Sequence, residues 1–332
     1  MKRREFITVL GSAFASWPLA ATAQQQSRMR RIGVLMSLKE DDPQTKRNLA
    51  AFEEALRSLG WFDGQTIQIE HRAAPDPDGL GSSAVELLSQ QPDLMVTVFT
   101  PATNVVRQIS PDMRIVFISV SDPIGPGFVK SLDHPGGNIT GFTNLEETMG
   151  GKWLDLLREI VPSVNRVSML FNPETANAGA SGGIYLKSIE TAARNTGTEL
   201  IESAVHDPAG IDEVFAAMAQ GSGGGVLVMP NAFTIAHQER IVAQAERYRV
   251  PTIYPDARFV TVGGLLSYGV DGSDLFRRAA SYTDRILKGA NPGDLPVQQP
   301  VKFVLEINKK TATTLGLTVP NTLLVAADEV IE

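Results

Sequence analysis

The chain has 332 residues, 43% hydrophobic and 20% charged, enough to bury a sizeable core in two domains or lobes. Its formal net charge is −7. Lys2, Arg3, Arg4 and Glu5 give the first 23 residues a charge of +2 and leave −9 for the rest, which argues against nucleic acid or an anionic membrane as a partner. The absence of cysteine excludes disulfides, thiolate nucleophiles and thiolate metal sites, and the four histidines (His71, His134, His206, His237) have no ligand-like spacing, so no metal site is expected.

The first residues read as an export peptide. Adjacent Arg3 and Arg4 precede an apolar run that ends near Ala15, followed by Pro18 and the small-x-small string Ala21-Thr22-Ala23. Arg3-Arg4 followed by Glu5-Phe6 resembles the twin-arginine export motif; an ordinary secretion signal is the alternative. Cleavage near Ala23 would leave a released, periplasmic protein that begins near Gln24.

From Arg30 onward, short apolar runs alternate with helical patterns. Strands are expected at 32–36, 66–70, 93–99 and 115–118, with helices at 48–59, 80–89 and 102–109 between them. The run 115–118 is unbroken and rich in β-branched residues, as a strand buried on both faces should be. The succession then starts again: strands at 166–171, 199–203, 225–229 and 251–254, helices at 183–195, 211–219 and 235–248. The two series are offset by roughly 135 residues, about the usual size of one domain. This predicts an α/β chain of two Rossmann-like lobes with parallel sheets, although one large sheet would read similarly. Segments 137–144 and 263–269, and the stretch near 296–305, are expected to cross between lobes as hinges. Lobe 1 would then hold 30–143 plus about 270–300, and lobe 2 would hold 144–269 plus about 301–332.

In open α/β sheets, ligands bind outside the carboxyl ends of the strands. The polar residues there become site candidates: Ser37, Thr100, Ala102, Thr103, Ser119, Ser121 and Asp122 in the first lobe; Asn172, Asn231, Tyr254 and Asp256 in the second; Tyr268 and Asp271 beyond a crossing. Thr100-Pro-Ala-Thr103 opens a helix whose free N–H groups can hold a carboxylate without a basic side chain. Asp256 or Asp271 could take an ammonium, and Tyr254 or Tyr268 could stack on an apolar or aromatic group. Singly, each of these positions is also an ordinary cap or turn.

No cofactor is implied. Gly221-Ser-Gly-Gly-Gly225 precedes a strand, the wrong order for a dinucleotide fingerprint, and no phosphate-binding loop occurs. Gly179-Ala-Ser181-Gly-Gly183 matches the G-x-S-x-G string of serine hydrolases, but a loop separates it from the preceding strand.

Several strings resemble the ABC-transporter substrate-binding proteins related to the tryptophan/tyrosine-binding type. They include Arg31-Ile-Gly-Val-Leu, Phe117-Ile-Ser-Val-Ser-Asp-Pro-Ile-Gly-Pro-Gly-Phe-Val and Pro135-Gly-Gly-Asn-Ile-Thr-Gly-Phe. Gly151-Lys-Trp-Leu-Asp-Leu-Leu, Ser267-Tyr-Gly-Val-Asp and Ala327-Asp-Glu-Val-Ile-Glu extend the match over nearly the whole mature chain. The resemblance implies a type I periplasmic-binding fold with three crossings, a ligand trapped by closure and an ABC permease as partner; a monomer is expected, and nothing in the residues demands catalysis. It also implies an amino acid or related carboxylate as ligand, with Thr100, Ala102 and Thr103 at the carboxylate, Ser119 or Ser121 nearby, and Asp256 or Asp271 at the ammonium. An exported hydrolase acting through Ser181 or paired carboxylates, or a sensor subunit, are the alternatives on the same scaffold.

Overall fold

The computed structural model describes residues 29–39, 41–174 and 181–332. The export segment with Arg3 and Arg4, and Gly179 and Ala180 of the hydrolase-like string, lie outside them. Within the described residues the chain forms two separate sheets, not one.

The first sheet has the order β2-β1-β3-β4-β5 and is parallel throughout. Its strands are β1 (Arg30–Met36), β2 (Ile67–Ala73), β3 (Leu94–Val98), β4 (Ile115–Ile118) and β5 (Ile139–Phe142). Every residue of β3 and β4 is buried, while the edge strand β2 is half-exposed after Ile67. That contrast is why the central strands read as continuous apolar runs. Helices α1 (Pro43–Ser58), α2 (Pro77–Ser89) and α3 (Phe99–Ile109) connect the strands. Both α1 and α2 begin with Asp-Pro: Asp42 and Asp76 accept the N–H three residues on, and proline takes the first helical position where its missing N–H costs nothing.

The second sheet has the order β12-β11-β10-β9-β8-β6-β7. It is built from α4 (Met149–Ile160), β6 (Arg166–Phe171), α5 (Ser181–Thr196), β7 (Glu199–Ala204), α6 (Pro208–Met218), β8 (Gly224–Val228), α7 (Ala232–Ala236), α8 (Gln238–Tyr248), β9 (Thr252–Tyr254), α9 (Ala257–Thr261) and β10 (Leu266–Val270). The chain then returns to the first sheet with α10 (Gly272–Leu287), which packs along α1. It comes back to the second with β11 (Phe303–Asn308), α11 (Lys309–Thr314), α12 (Asn321–Ala326) and β12 (Glu329–Ile331).

Three crossings therefore join the sheets, and they are hydrogen-bonded to their neighbours. The Thr143 N–H donates to the Gln298 carbonyl at 2.9 Å, and the Gln298 N–H to that of Gly141 at 2.9 Å. The Asp271 N–H reaches the Lys302 carbonyl at 3.0 Å, with their side chains paired at 2.9 Å.

The structure corrects the sequence expectations at several elements. Much of segments 137–144 and 263–269, expected as crossings, belongs to the ladder strands β5 and β10, and the chain crosses immediately after each, at 143–148 and at 271; Gly141 and Gly269 permit close backbone approach within the strands. The single helix expected at 235–248 is two, α7 and α8, broken at His237. Strand β11 runs antiparallel to β10, so the second sheet is mixed. No helix among the described residues is long and apolar enough to cross a membrane.

Candidate functional site

The carboxyl ends of the two sheets face one narrow cleft that opens partly to solvent. The first lobe contributes the ends of β3 and β4. Strand β3 runs straight into α3 with no side-chain cap, and Phe99, the first helical residue, has φ of +68°. Pro101 has no N–H, and in a helix starting at Phe99 the Ala102 N–H is the first to find an intrahelical partner. The unpaired helical donors are thus those of Phe99 and Thr100. Next to them Ser119 follows β4 with φ of +59°, its N–H bonded to the Phe142 carbonyl at 2.8 Å. A left-handed conformation costs a non-glycine residue roughly 1–2 kcal/mol. Two of them at the tips of adjacent strands, both lining the cleft, mark strained backbone of the kind concentrated at binding sites.

The second lobe offers an apolar wall and a charged corner. Met149 and Trp153 of α4 and Tyr185 of α5 line one side, the two rings 5.0 Å apart and inclined at 54°. Gly150 lets these helices meet, since a Cβ there would lie 2.6 Å from the Tyr185 carbonyl. The Trp153 indole donates to the Tyr268 carbonyl at 2.6 Å, and the Tyr185 hydroxyl to that of Asn144 at 3.1 Å. Burial holds the Tyr185 phenol well above its ordinary pKa, with Glu146 adding to the effect, so it stays protonated. Asn231 caps α7 and Asp256 caps α9 on the cleft floor.

Arg258, 4% exposed, occupies the charged corner. Its guanidinium meets Asp256 at 2.9 Å and, across the cleft, Asp42 of α1 at 3.0 Å. Burial alone would raise the Asp42 carboxyl, but Arg258 and the hydrogen bonds from Thr45 outweigh it and hold the pKa below its ordinary value.

A second chamber adjoins the cleft through Asn48, Asp256, Gly269, Val270 and Gly272, and is further lined by Gln44, Asp271 and Glu306. Asn48 is 3% exposed, and its Oδ1 accepts from Gln44 and Ser273, both at 2.8 Å, which leaves its amide donors for the chamber. Burial, reinforced by Glu329, Asp256 and Asp328 and opposed by Arg47, raises the Glu306 carboxyl to about 7.

Of the residues expected at the site, Ser119, Asn231 and Asp256 line the cleft, and Thr100 stands half-buried beside Phe99. The others are engaged elsewhere. Ala102 and Thr103 are fully buried, and the Thr103 hydroxyl bonds to that of Thr97 at 2.8 Å and to the Phe99 carbonyl at 3.2 Å. Ser37 is buried at the end of β1 away from the lining. The Ser121 hydroxyl donates to the Asn144 side chain at 2.8 Å, and Asp122 accepts the N–H groups of Ile124 and Gly125 in a turn. Asn172 ties the end of β6 to the Val205 carbonyl at 2.9 Å. Tyr254 lies in the core stacked on Phe259, and Tyr268 stacks on Phe303, so neither ring faces the cleft. Asp271 is held by Lys302 and by the N–H of Asp274, at the adjoining chamber rather than the cleft.

Sequence reasoning missed Asn48, Trp153, Tyr185 and Arg258. Trp153 and Tyr185 fall within helix patterns that read as core, and the pair Gly150-Gly151 was the available sign of a close helix contact. No group of three potential metal-ligating side chains occurs among the described residues.

The whole arrangement has close parallels. A curated relative, the tyrosine-binding protein of Clostridioides difficile, is 25% identical over 292 residues, 87% of this chain and 82% of its own. A Streptococcus pneumonia ABC domain solved with L-Trp superposes with a TM-score of 0.81 at 25% identity, over 91% of this chain and 99% of that one. A conserved domain protein from Vibrio cholerae gives 0.81 at 25% identity, over 91% and 100%. Two mostly parallel sheets flanked by helices and joined by three crossings are the architecture of type I periplasmic binding proteins. The model of the ABC transporter substrate binding protein family matches residues 31–331, and the chain belongs to that family.

Proposed function

We propose that this protein is the extracytoplasmic solute receptor of an ABC importer, and that it closes on an amino acid with an aromatic or large apolar side chain. The observation that carries this reading is the mixed lining of one cleft. Helix-start donors from one lobe and a carboxylate from the other share it with the side chains of Met149, Trp153 and Tyr185. The N–H groups of Phe99 and Thr100 and the Ser119 hydroxyl would take the ligand carboxylate. Asp256 would take its ammonium, and the Trp153–Tyr185 wall would cover its side chain. The tyrosine and tryptophan named with the two relatives support the same ligand class.

The lobes in this reading are 30–143 with about 270–300, and 144–269 with about 301–332, turning on the three crossings. The ligand favours closure because it touches both lobes only when they meet. Residues 1–23, with Arg3 and Arg4, act as the export peptide; the receptor works as a periplasmic monomer, delivers to a membrane permease and leaves its ligand chemically unchanged. Titration calorimetry with a panel of L-amino acids tests the ligand class, with mass spectrometry of the recovered ligand. One aromatic or large apolar amino acid should bind one-to-one and return intact. Binding by none of the panel would overturn the class, and a converted product would overturn the receptor role.

A further inference from the structure

Only two ion pairs link the described side chains across the mouth of the cleft, and they differ in kind. Lys39 and Glu239 stand 4.0 Å apart with exposed side chains, so solvent and salt leave that pair little strength. Asp42 and Arg258 are 9% and 4% exposed, 3.0 Å apart, and on elements separated by 216 residues. Arg258 carries a second carboxylate, Asp256, on its own helix start: Asp256 accepts both the Arg258 N–H at 3.0 Å and the guanidinium at 2.9 Å.

We propose that Arg258 is a positioning residue that clasps the two lobes, joining Asp256, the proposed ammonium acceptor, to Asp42 on the opposite lobe. The inference rests on the reading that the cleft closes over its ligand. A buried guanidinium left unpaired would be costly. Here opening releases only Asp42 to water, because Asp256 stays with Arg258 on the same lobe. The clasp can therefore part and re-form without stranding the arginine. Two carboxylates share one guanidinium, so the corner keeps a net negative charge toward an ammonium. Fixing both Asp256 oxygens also sets the direction from which that ammonium must approach.

The test uses Asp42→Asn. Asparagine caps a helix as well as aspartate does, so α1 and its bond from the Thr45 N–H should survive while the charge is lost. Thr45→Val serves as the second variant: it removes the Thr45 hydroxyl's bond to Asp42 but leaves the guanidinium pair. The chain has no cysteine, so Val85→Cys and Val325→Cys, at 56% and 88% exposure on the two lobes, give unique spin-label sites. In ligand-free protein, Asp42→Asn should enlarge an open population in the label-to-label distances, and Thr45→Val should match the parent. With L-tryptophan as probe, Asp42→Asn should speed dissociation about tenfold with association nearly unchanged. Identical distance distributions and dissociation rates for parent and Asp42→Asn would overturn the clasp. Failure of the parent to bind L-tryptophan would count against the ligand class instead, and the distance measurement would then decide the clasp alone.

Discussion

Trp153 donates its indole N–H to the Tyr268 carbonyl at 2.6 Å, which ties the first helix after one crossing to the strand that enters the next. The ring is 2% exposed, yet it borders the cleft and meets Tyr185. One residue thus braces the hinge region and forms the wall on which a ligand would rest.

Trp153→Phe should keep most of that wall and strand the Tyr268 carbonyl. The expected loss is about 1–2 kcal/mol in denaturant unfolding. The only other tryptophan among the described residues, Trp61, bonds to Asp284 of α10 and does not line the cleft. A ligand-induced change in tryptophan fluorescence should therefore disappear in Trp153→Phe while calorimetric binding persists. A change of undiminished size would remove Trp153 from the site.

Ser119→Gly separates stability from binding. Glycine adopts φ of +59° without penalty but costs more entropy to order, so unfolding free energy should stay within about 1 kcal/mol of the parent. Losing the hydroxyl at the proposed carboxylate position should weaken binding about tenfold, as one hydrogen bond to a charged group would. Equal affinity would take Ser119 off the ligand.

Much of this architecture was legible in the sequence because buried parallel strands must be apolar along their whole length, as β3 and β4 are. The same logic located the strand ends where Ser119, Asn231 and Asp256 line the cleft. It could not say which way a side chain faces at a strand end. Tyr254 and Asp256 are two residues apart, yet the first packs on Phe259 and the second reaches the cleft as a helix cap. Nor could it find Asn48, Tyr185 or Arg258, whose roles come from helices that meet only in three dimensions. Arg258 pairs locally with Asp256, but its link across the lobes could not be read, since its second partner Asp42 lies in the other half of the chain.

Glu306 should make stability depend on pH near neutrality. Its carboxyl is raised from 4.5 to about 7 by burial and then by Glu329, Asp256 and Asp328, against Arg47. The folded state therefore favours the protonated acid. Its contribution is fully present below the unfolded value and is lost as pH rises through about 7. Allowing for its partial exposure, the loss should be about 1 kcal/mol. Thermal unfolding of Glu306→Gln should show a flatter profile between about pH 5 and pH 8 and a higher midpoint than the parent at the upper end. Parallel profiles would show that Glu306 titrates normally.

Two glycines make opposite predictions for the same substitution. A Cβ on Gly269 would overlap the Pro255 carbonyl oxygen, because β10 passes against the turn that presents Asp256. Backbone cannot yield as a flexible side chain can, so Gly269→Ala should cost about 1–3 kcal/mol or more. Relief by moving the 255–256 turn would also displace Asp256 and loosen its pairing with Arg258, so ligand affinity should fall along with stability. A Cβ on Gly81, in α2, would meet nothing within 4 Å, and the residue has no left-handed φ. Gly81→Ala should gain about 0.5–1 kcal/mol through helix propensity and leave affinity unchanged. Measured side by side by denaturant unfolding and calorimetry, the two variants should separate in sign. If Gly269→Ala were as stable and as tight-binding as the parent, the close approach of β10 to that turn would not hold the cleft floor.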